Sequence, residues 1–208
     1  MKLIKASILL MLCSHALAFD NSVFGTHWVK FQPTTVEGKL NGCSLTYLAV
    51  QSDRVYKNGD PVIVNGSIWL SNTDKAIGLM LKVGLKDFST PTSKFERPNF
   101  AYLKGKNHNT AAATISSSPG DEGYSLFVYN ITDSAVQRVF SELLSGQASI
   151  AFNRQPGGMD VVVPLDLSVV DSEYTNDYKV KRQISNSAAT GFNECAITLI
   201  ENLKKTIK

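Results

Sequence analysis

The chain has 208 residues, 43% of them hydrophobic and 19% charged, and 21 Lys and Arg against 18 Asp and Glu give a formal net charge of +3. The basic residues are scattered and form no stripe, so we expect neither nucleic acid nor an anionic membrane surface as a partner.

The start of the chain has the three zones of a secretory signal peptide. Lysines precede a short apolar run at residues 8–12, and Ala-Leu-Ala at residues 16–18 is typical of a cleavage site. The apolar run is far shorter than the roughly 20 residues needed to cross a bilayer, so we expect no stable membrane insertion. We predict that residues 1–18 are removed and that residues 19–208 form a single β-rich domain, periplasmic or secreted.

Two cysteines remain in the predicted mature chain, because Cys13 lies in the signal segment and only Cys43 and Cys195 follow it. An even number of cysteines in an oxidising compartment predicts a disulfide. One alternative is a pair of free thiols, one of them a nucleophile, which would require a histidine partner. The other alternative is a metal site, but the cysteines and histidines include no closely spaced pair of ligands. We expect neither a metal nor another cofactor.

The N-terminal two thirds of the chain have the pattern of a β protein. Segments rich in β-branched and aromatic residues alternate with turn sequences rich in Gly, Pro, Asn and Asp. A Gln-Pro-Gly-Gly turn separates the last two predicted strands, which we therefore expect to form a hairpin. The predicted strands are Ser44–Gln51, Pro61–Ser71, Ala76–Leu85, Tyr124–Ile131, Ala148–Asn153 and Asp160–Val170.

Two segments have the composition of exposed loops. Asp87–Thr110 contains prolines and a Lys-Gly-Lys-Asn-His-Asn run, and Asp171–Asp177 is acidic with tyrosines around it. Tyrosines in loops suit contact with a protein partner, although solvated tyrosines without a function are common. The candidate partner-contact residues are Tyr102, His108, Tyr174 and Tyr178.

Two helices are predicted from apolar residues at helical spacing. The first begins after Asp133 or Ser134 and ends at Gly146, and the second runs from about Ser187 to Lys204. Cys195 lies within the apolar stripe of the second helix. A bond to Cys43 would therefore pack this helix on the sheet, beside the strand that begins near Ser44. Together these elements predict a mainly β, α+β fold with β-sandwich-like antiparallel sheets and two helices.

The order of elements from Phe140 to Leu203 adds a family resemblance. A helix ending in Leu-Leu-Ser-Gly leads to a hairpin, then to Pro-Leu-Asp-Leu-Ser at residues 164–168, and finally to a helix with Gly191 and Phe192. This order resembles the C-terminal half of the invasion-associated locus B-like periplasmic proteins, although residues 171–184 are inserted here. The resemblance implies a β-sandwich protein of the bacterial envelope with a non-enzymatic role, and it carries over no catalytic residue.

The sequence contains neither a Gly-x-Ser-x-Gly nucleophile motif nor a phosphate-binding loop. We therefore expect an exported, non-enzymatic protein of the bacterial envelope that binds a protein partner through its loops and one sheet edge. An alternative is an inhibitor or immunity protein against a periplasmic enzyme or toxin. A further alternative is a hydrolase acting on cell-wall material, for which Asp160, Asp166 and His108 would be the residues to test.

Overall fold

The computed structural model describes residues 20–72, 77–88, 90, 92–146, 148–176 and 179–206. The predicted signal peptide and Tyr178 therefore lie outside the described residues. The helices are Ser134–Leu144 (α1) and Ser187–Thr206 (α2). The strands are Gly25–Val36 (β1), Lys39–Asp53 (β2), Asp60–Asn72 (β3), Ile77–Asp87 (β4), Phe100–Lys104 (β5), Thr114–Pro119 (β6), Tyr124–Tyr129 (β7), Ala148–Asn153 (β8), Val161–Leu165 (β9), Val169–Tyr174 (β10) and Val180–Ile184 (β11).

The strands form two antiparallel sheets that share a core, and a separate hairpin. One sheet has six strands in the order β1-β2-β3-β4-β7-β6, the other has three in the order β5-β8-β9, and β10 pairs with β11. Inward side chains of both sheets belong to one buried apolar cluster, so the predicted mainly β, sandwich-like fold is confirmed. Its large members include Tyr47, Ile68, Leu81, Leu103, Phe127 and Phe152.

Local chemistry explains how the long strands form and turn. In β3, Val62, Val64, Ile68 and Leu70 are buried while the residues between most of them are only half-buried, the two-residue period of a strand with one core face. β1 and β2 are joined by a two-residue turn in which both Glu37 (φ 50°) and Gly38 (φ 74°) have positive φ. This conformation matches the right-handed twist of the flanking strands.

The helices pack as their apolar stripes predict. Asp133 caps α1 by accepting hydrogen bonds from the backbone of Ala135 and Val136, and Gly146 follows the helix with a φ of 80°. Cys43 on β2 and Cys195 on α2 form a disulfide with their Cα atoms 6.0 Å apart, and the predicted bond is confirmed. α2 lies against β2, as predicted, and also against β1.

Three predictions about the chain between these elements were wrong. Residues 100–104, expected within an exposed loop, form β5, whose backbone pairs with β8. Residues 171–174, also expected in a loop, belong to β10. The single strand expected over residues 160–170 is broken at Asp166, whose carboxylate accepts hydrogen bonds from the backbone and hydroxyl of Ser168 and so forms a turn.

Among the described residues, no helix is both long enough and apolar enough to cross a membrane.

Candidate functional site

The connection between β8 and β9, residues 154–160, is held by side-chain contacts with several other segments of the sandwich, and we call it the tip loop. Its centre is a turn in which the Gly158 N–H donates to the Gln155 carbonyl at 3.0 Å. Pro156 occupies the second turn position, and Gly157 the third with a φ of 68°, the residue preferences of a type II turn. The Gln-Pro-Gly-Gly sequence therefore sets the shape of the tip loop locally.

Arg154 is the first residue of the tip loop, and its guanidinium contacts carboxylates from three other segments. Its Nε lies 3.0 Å from Asp53 Oδ2, Nη2 3.3 Å from Asp87 Oδ1, and Nη1 3.5 Å from Glu96 Oε2. The Asp53 side chain is fully buried and that of Arg154 is 14% exposed. Burying a carboxylate costs free energy unless it is paired with a cation, so the burial of Asp53 depends on the Arg154 guanidinium. The network therefore ties the tip loop to the ends of β2 and β4.

Further hydrogen bonds hold the other end of the tip loop. The Tyr56 hydroxyl donates to the Met159 carbonyl at 2.7 Å, and it passes so close to Gly158 that a Cβ there would lie 2.2 Å from its oxygen. The Tyr102 hydroxyl donates to Asp160 Oδ2 at 2.7 Å, and the Asn153 amide donates to Oδ1 at 3.2 Å. Burial, the hydrogen bond to Asp160 and its charge raise the pKa of Tyr102 to about 12.

Between these anchors the tip loop presents an uncharged and partly apolar surface. Gln155, Pro156 and Gly157 are exposed, and Met159 is 73% exposed. Val55, in the neighbouring turn that also supplies Tyr56, is 37% exposed. Methionine is a flexible apolar side chain common at binding surfaces. A loop held in one shape also loses little conformational entropy on binding, so this arrangement suits recognition of another protein.

Tyr174 lies elsewhere, in a second cluster that joins the start of β1 to the β10–β11 hairpin. Its side chain is 55% exposed, with the ring centroid 6.0 Å from that of the buried His27. His27 contacts the Val23 carbonyl through Nε2 at 2.8 Å and the Ser172 hydroxyl through Nδ1 at 3.0 Å. Because a carbonyl only accepts, Nε2 carries the proton and Nδ1 accepts from Ser172. The ring thus serves as a link between strands.

His108 lies in a third place, in the turn after β5 and against α1. Its Nε2 is 2.9 Å from Arg138 Nη1, and its Nδ1 is 3.8 Å from Glu142 Oε1. Glu142 also accepts a hydrogen bond from the backbone N–H of Lys106. These contacts join the turn to the outer face of α1 and leave His108 only partly exposed.

The candidate partner-contact residues that the structure describes therefore lie apart from one another and form no common site. Tyr102 anchors the tip loop, whereas His108 and Tyr174 lie in separate clusters. Sequence reasoning missed Arg154 and Asp53, which meet across 101 residues of sequence. A Gln-Pro-Gly-Gly turn between two strands was the only local signal of the tip loop, and it was used to predict the hairpin.

The residues considered for hydrolysis also have separate surroundings. Asp160 bonds to Tyr102 and Asn153, Asp166 bonds to Ser168, and His108 lies against α1. Within the described ranges, no group of three or more His, Cys, Asp or Glu side chains is placed to hold a metal ion.

Comparisons with protein-family models, curated proteins and solved structures found no significant match to this chain. The resemblance of residues 140–203 to the invasion-associated locus B-like proteins stays a prediction.

Proposed function

We propose that this chain is an exported, non-enzymatic interaction protein of the bacterial envelope that engages a protein partner through the tip loop. The observation that carries the proposal is the combination of an exposed Met159 with a backbone anchored at both ends. The side chain of Arg154 reaches from the loop to Asp53. The hydroxyls of Tyr56 and Tyr102 reach the loop from other parts of the sandwich. Ordering a surface loop costs conformational entropy, so we do not expect so many long-range contacts in a loop that only connects two strands.

The disulfide supports the export part of the proposal. Cys43 and Cys195 are bonded across 152 residues. Such bonds persist in the periplasm and outside the cell and are rare in a reducing cytosol. This agrees with the signal-like sequence of residues 1–18.

A second candidate function is inhibition of an envelope enzyme or toxin. The observation that favours it is the form of the site, a short turn with small residues at its centre and an exposed Met159 beside them. A narrow, preformed turn enters the concave site of an enzyme more readily than a broad flat surface does. The partner would then be an enzyme whose activity falls when this protein binds.

Site-specific photo-crosslinking tests the proposal. Met159 is replaced by p-benzoylphenylalanine in the full chain produced in its source organism, and adducts are identified by mass spectrometry. Ile197, which is 51% exposed on α2, receives the same substitution as the control. We expect one defined protein adduct from position 159 that position 197 does not give.

The Arg154→Ala substitution provides a second control. It leaves the label at position 159 but removes an anchor of the tip loop, so we expect the adduct yield to fall severalfold. Identical adducts from positions 159 and 197, or no adduct at 159, would contradict the proposal. If the captured protein is an enzyme, an activity assay with purified components separates inhibition from simple association.

A further inference from the structure

The sulfur-containing side chains of the predicted mature chain differ in their access to oxidants. Free thiols and exposed thioethers are the side chains that peroxides oxidise most readily. Cys43 and Cys195 are bonded to each other, so neither offers a thiol. Two of the four methionines in the sequence lie within residues 1–18. The sulfur groups that remain open to oxidation are therefore the thioethers of Met80 and Met159.

These two methionines have different surroundings. Met80 is partly buried on β4, where its cross-strand neighbours are Trp69 on β3 and Val128 on β7. Met159 is 73% exposed and lies outside the buried apolar clusters. Because oxidation requires the oxidant to reach the sulfur, Met159 is the side chain that reacts first.

We propose that Met159 is an oxidation site through which hydrogen peroxide prevents partner binding at the tip loop. This inference rests on the proposed function. In the reaction the O–O bond of the peroxide breaks, one oxygen forms the S=O bond of methionine sulfoxide, and the other leaves as water with both hydrogens. The sulfur is oxidised by two electrons, which the peroxide accepts.

The structure of the tip loop explains why this reaction would affect binding and not folding. Met159 is the large apolar side chain of a surface otherwise formed by Gln155, Pro156 and Gly157. A sulfoxide makes that side chain polar. The Tyr56 hydroxyl donates to the backbone carbonyl of Met159, and this contact does not involve the sulfur. The oxidised side chain therefore stays on the exposed surface, where a partner would have to desolvate it.

Peptide mapping by mass spectrometry tests the site itself, without any partner. The purified, disulfide-bonded mature chain is treated with hydrogen peroxide for increasing times. We expect the sulfoxide to form at Met159 about fivefold or more faster than at Met80. The urea midpoint of protein oxidised only at Met159 should equal that of untreated protein. Equal rates at the two methionines, or a lower midpoint, would overturn the proposal.

The consequence for binding is measured with the protein that is captured through position 159. Its Kd for the unlabelled chain should rise about tenfold or more after peroxide treatment, because an apolar contact is lost. Met159→Leu keeps an apolar side chain without sulfur, so peroxide should leave its Kd unchanged. Met159→Gln, which carries a polar side chain, should bind weakly without any treatment.

The possible results separate this proposal from the one on which it rests. A Kd that peroxide leaves unchanged, or that rises equally in Met159→Leu, would overturn control by oxidation while partner binding at the tip loop stands. Failure of position 159 to capture a protein would overturn the proposed function, and control of binding by oxidation with it.

Discussion

His27 is buried and uses both ring nitrogens, donating to the Val23 carbonyl and accepting from the Ser172 hydroxyl. Burial lowers the pKa of His27 below the usual 6.5, and the positive charge of Arg182 lowers it further, while the hydrogen bond to Val23 opposes both. The neutral ring is therefore the form that the fold prefers. In the unfolded chain the same ring takes up a proton more readily.

The pH dependence of folding follows from this difference. The contribution of His27 is fully present above about pH 6.5 and is lost as the pH falls towards the lower pKa of the folded state. We expect the free energy of unfolding to fall between pH 7.5 and pH 5, and to fall less in His27→Gln. Urea denaturation at both pH values measures this. A variant with the same pH slope as the unmodified protein would contradict the assignment.

Cys43 and Cys195 are both buried where β2 meets α2. Their bond closes a loop of 152 residues, for which the chain-entropy model gives about 4–5 kcal/mol of stabilisation, an upper figure because native strain is ignored.

The two cysteines act as one unit in stability. We expect Cys43→Ser and Cys195→Ser each to lower the free energy of unfolding by a few kcal/mol, and the double variant to lose about as much as either. Urea denaturation of the three variants, with the reduced unmodified chain for comparison, checks this. Losses that add would show that the two thiols act separately.

At the scale of elements, the tip loop depends on strands and turns that are remote in sequence. Its central turn is local, but its anchors come from the ends of β2 and β4 and from β5. Arg154 is the shared contact, because it reaches Asp53, Asp87 and Glu96 at once. A planar guanidinium spreads over several carboxylates in a way that an ammonium does not.

Removing this guanidinium leaves the buried Asp53 without a cation. We expect Arg154→Ala to lower the free energy of unfolding by about 3 kcal/mol, and Arg154→Lys to recover only part of it. Lys181→Ala, which breaks a 4.0 Å contact with Glu173 between exposed side chains, should change stability by no more than about 0.5 kcal/mol. Equal effects of Arg154→Ala and Lys181→Ala in urea denaturation would rule out the proposed anchor.

At the scale of the whole molecule, the features that sequence could predict are those with a local signal. Apolar spacing predicts α1 and α2, the Gln-Pro-Gly-Gly turn predicts the β8–β9 hairpin, and two cysteines in an exported chain predict their bond. The position of Cys195 in the stripe of α2 even places that helix against β2. Each of these predictions depends on residues close in sequence, or on two cysteines that have no other cysteine to pair with in the predicted mature chain.

The remaining features depend on contacts that sequence does not reveal. β1 was missed because Pro33 and its exposed, polar second half hide a strand whose first half is buried. β5 was missed because its five residues lie between prolines and a charged turn and are held by pairing with β8. The tip loop was missed as a site because Asp53 and Arg154 are ordinary surface residue types until the fold brings them together.

We expect the tip loop to be rigid before any partner binds. Nitrogen-15 relaxation of the free, oxidised protein tests this at each residue from 154 to 160 except Pro156, which has no backbone N–H. We predict order parameters of about 0.85, as in well-ordered backbone. Values below about 0.6 through these residues would show a flexible connection and would contradict a preformed binding loop.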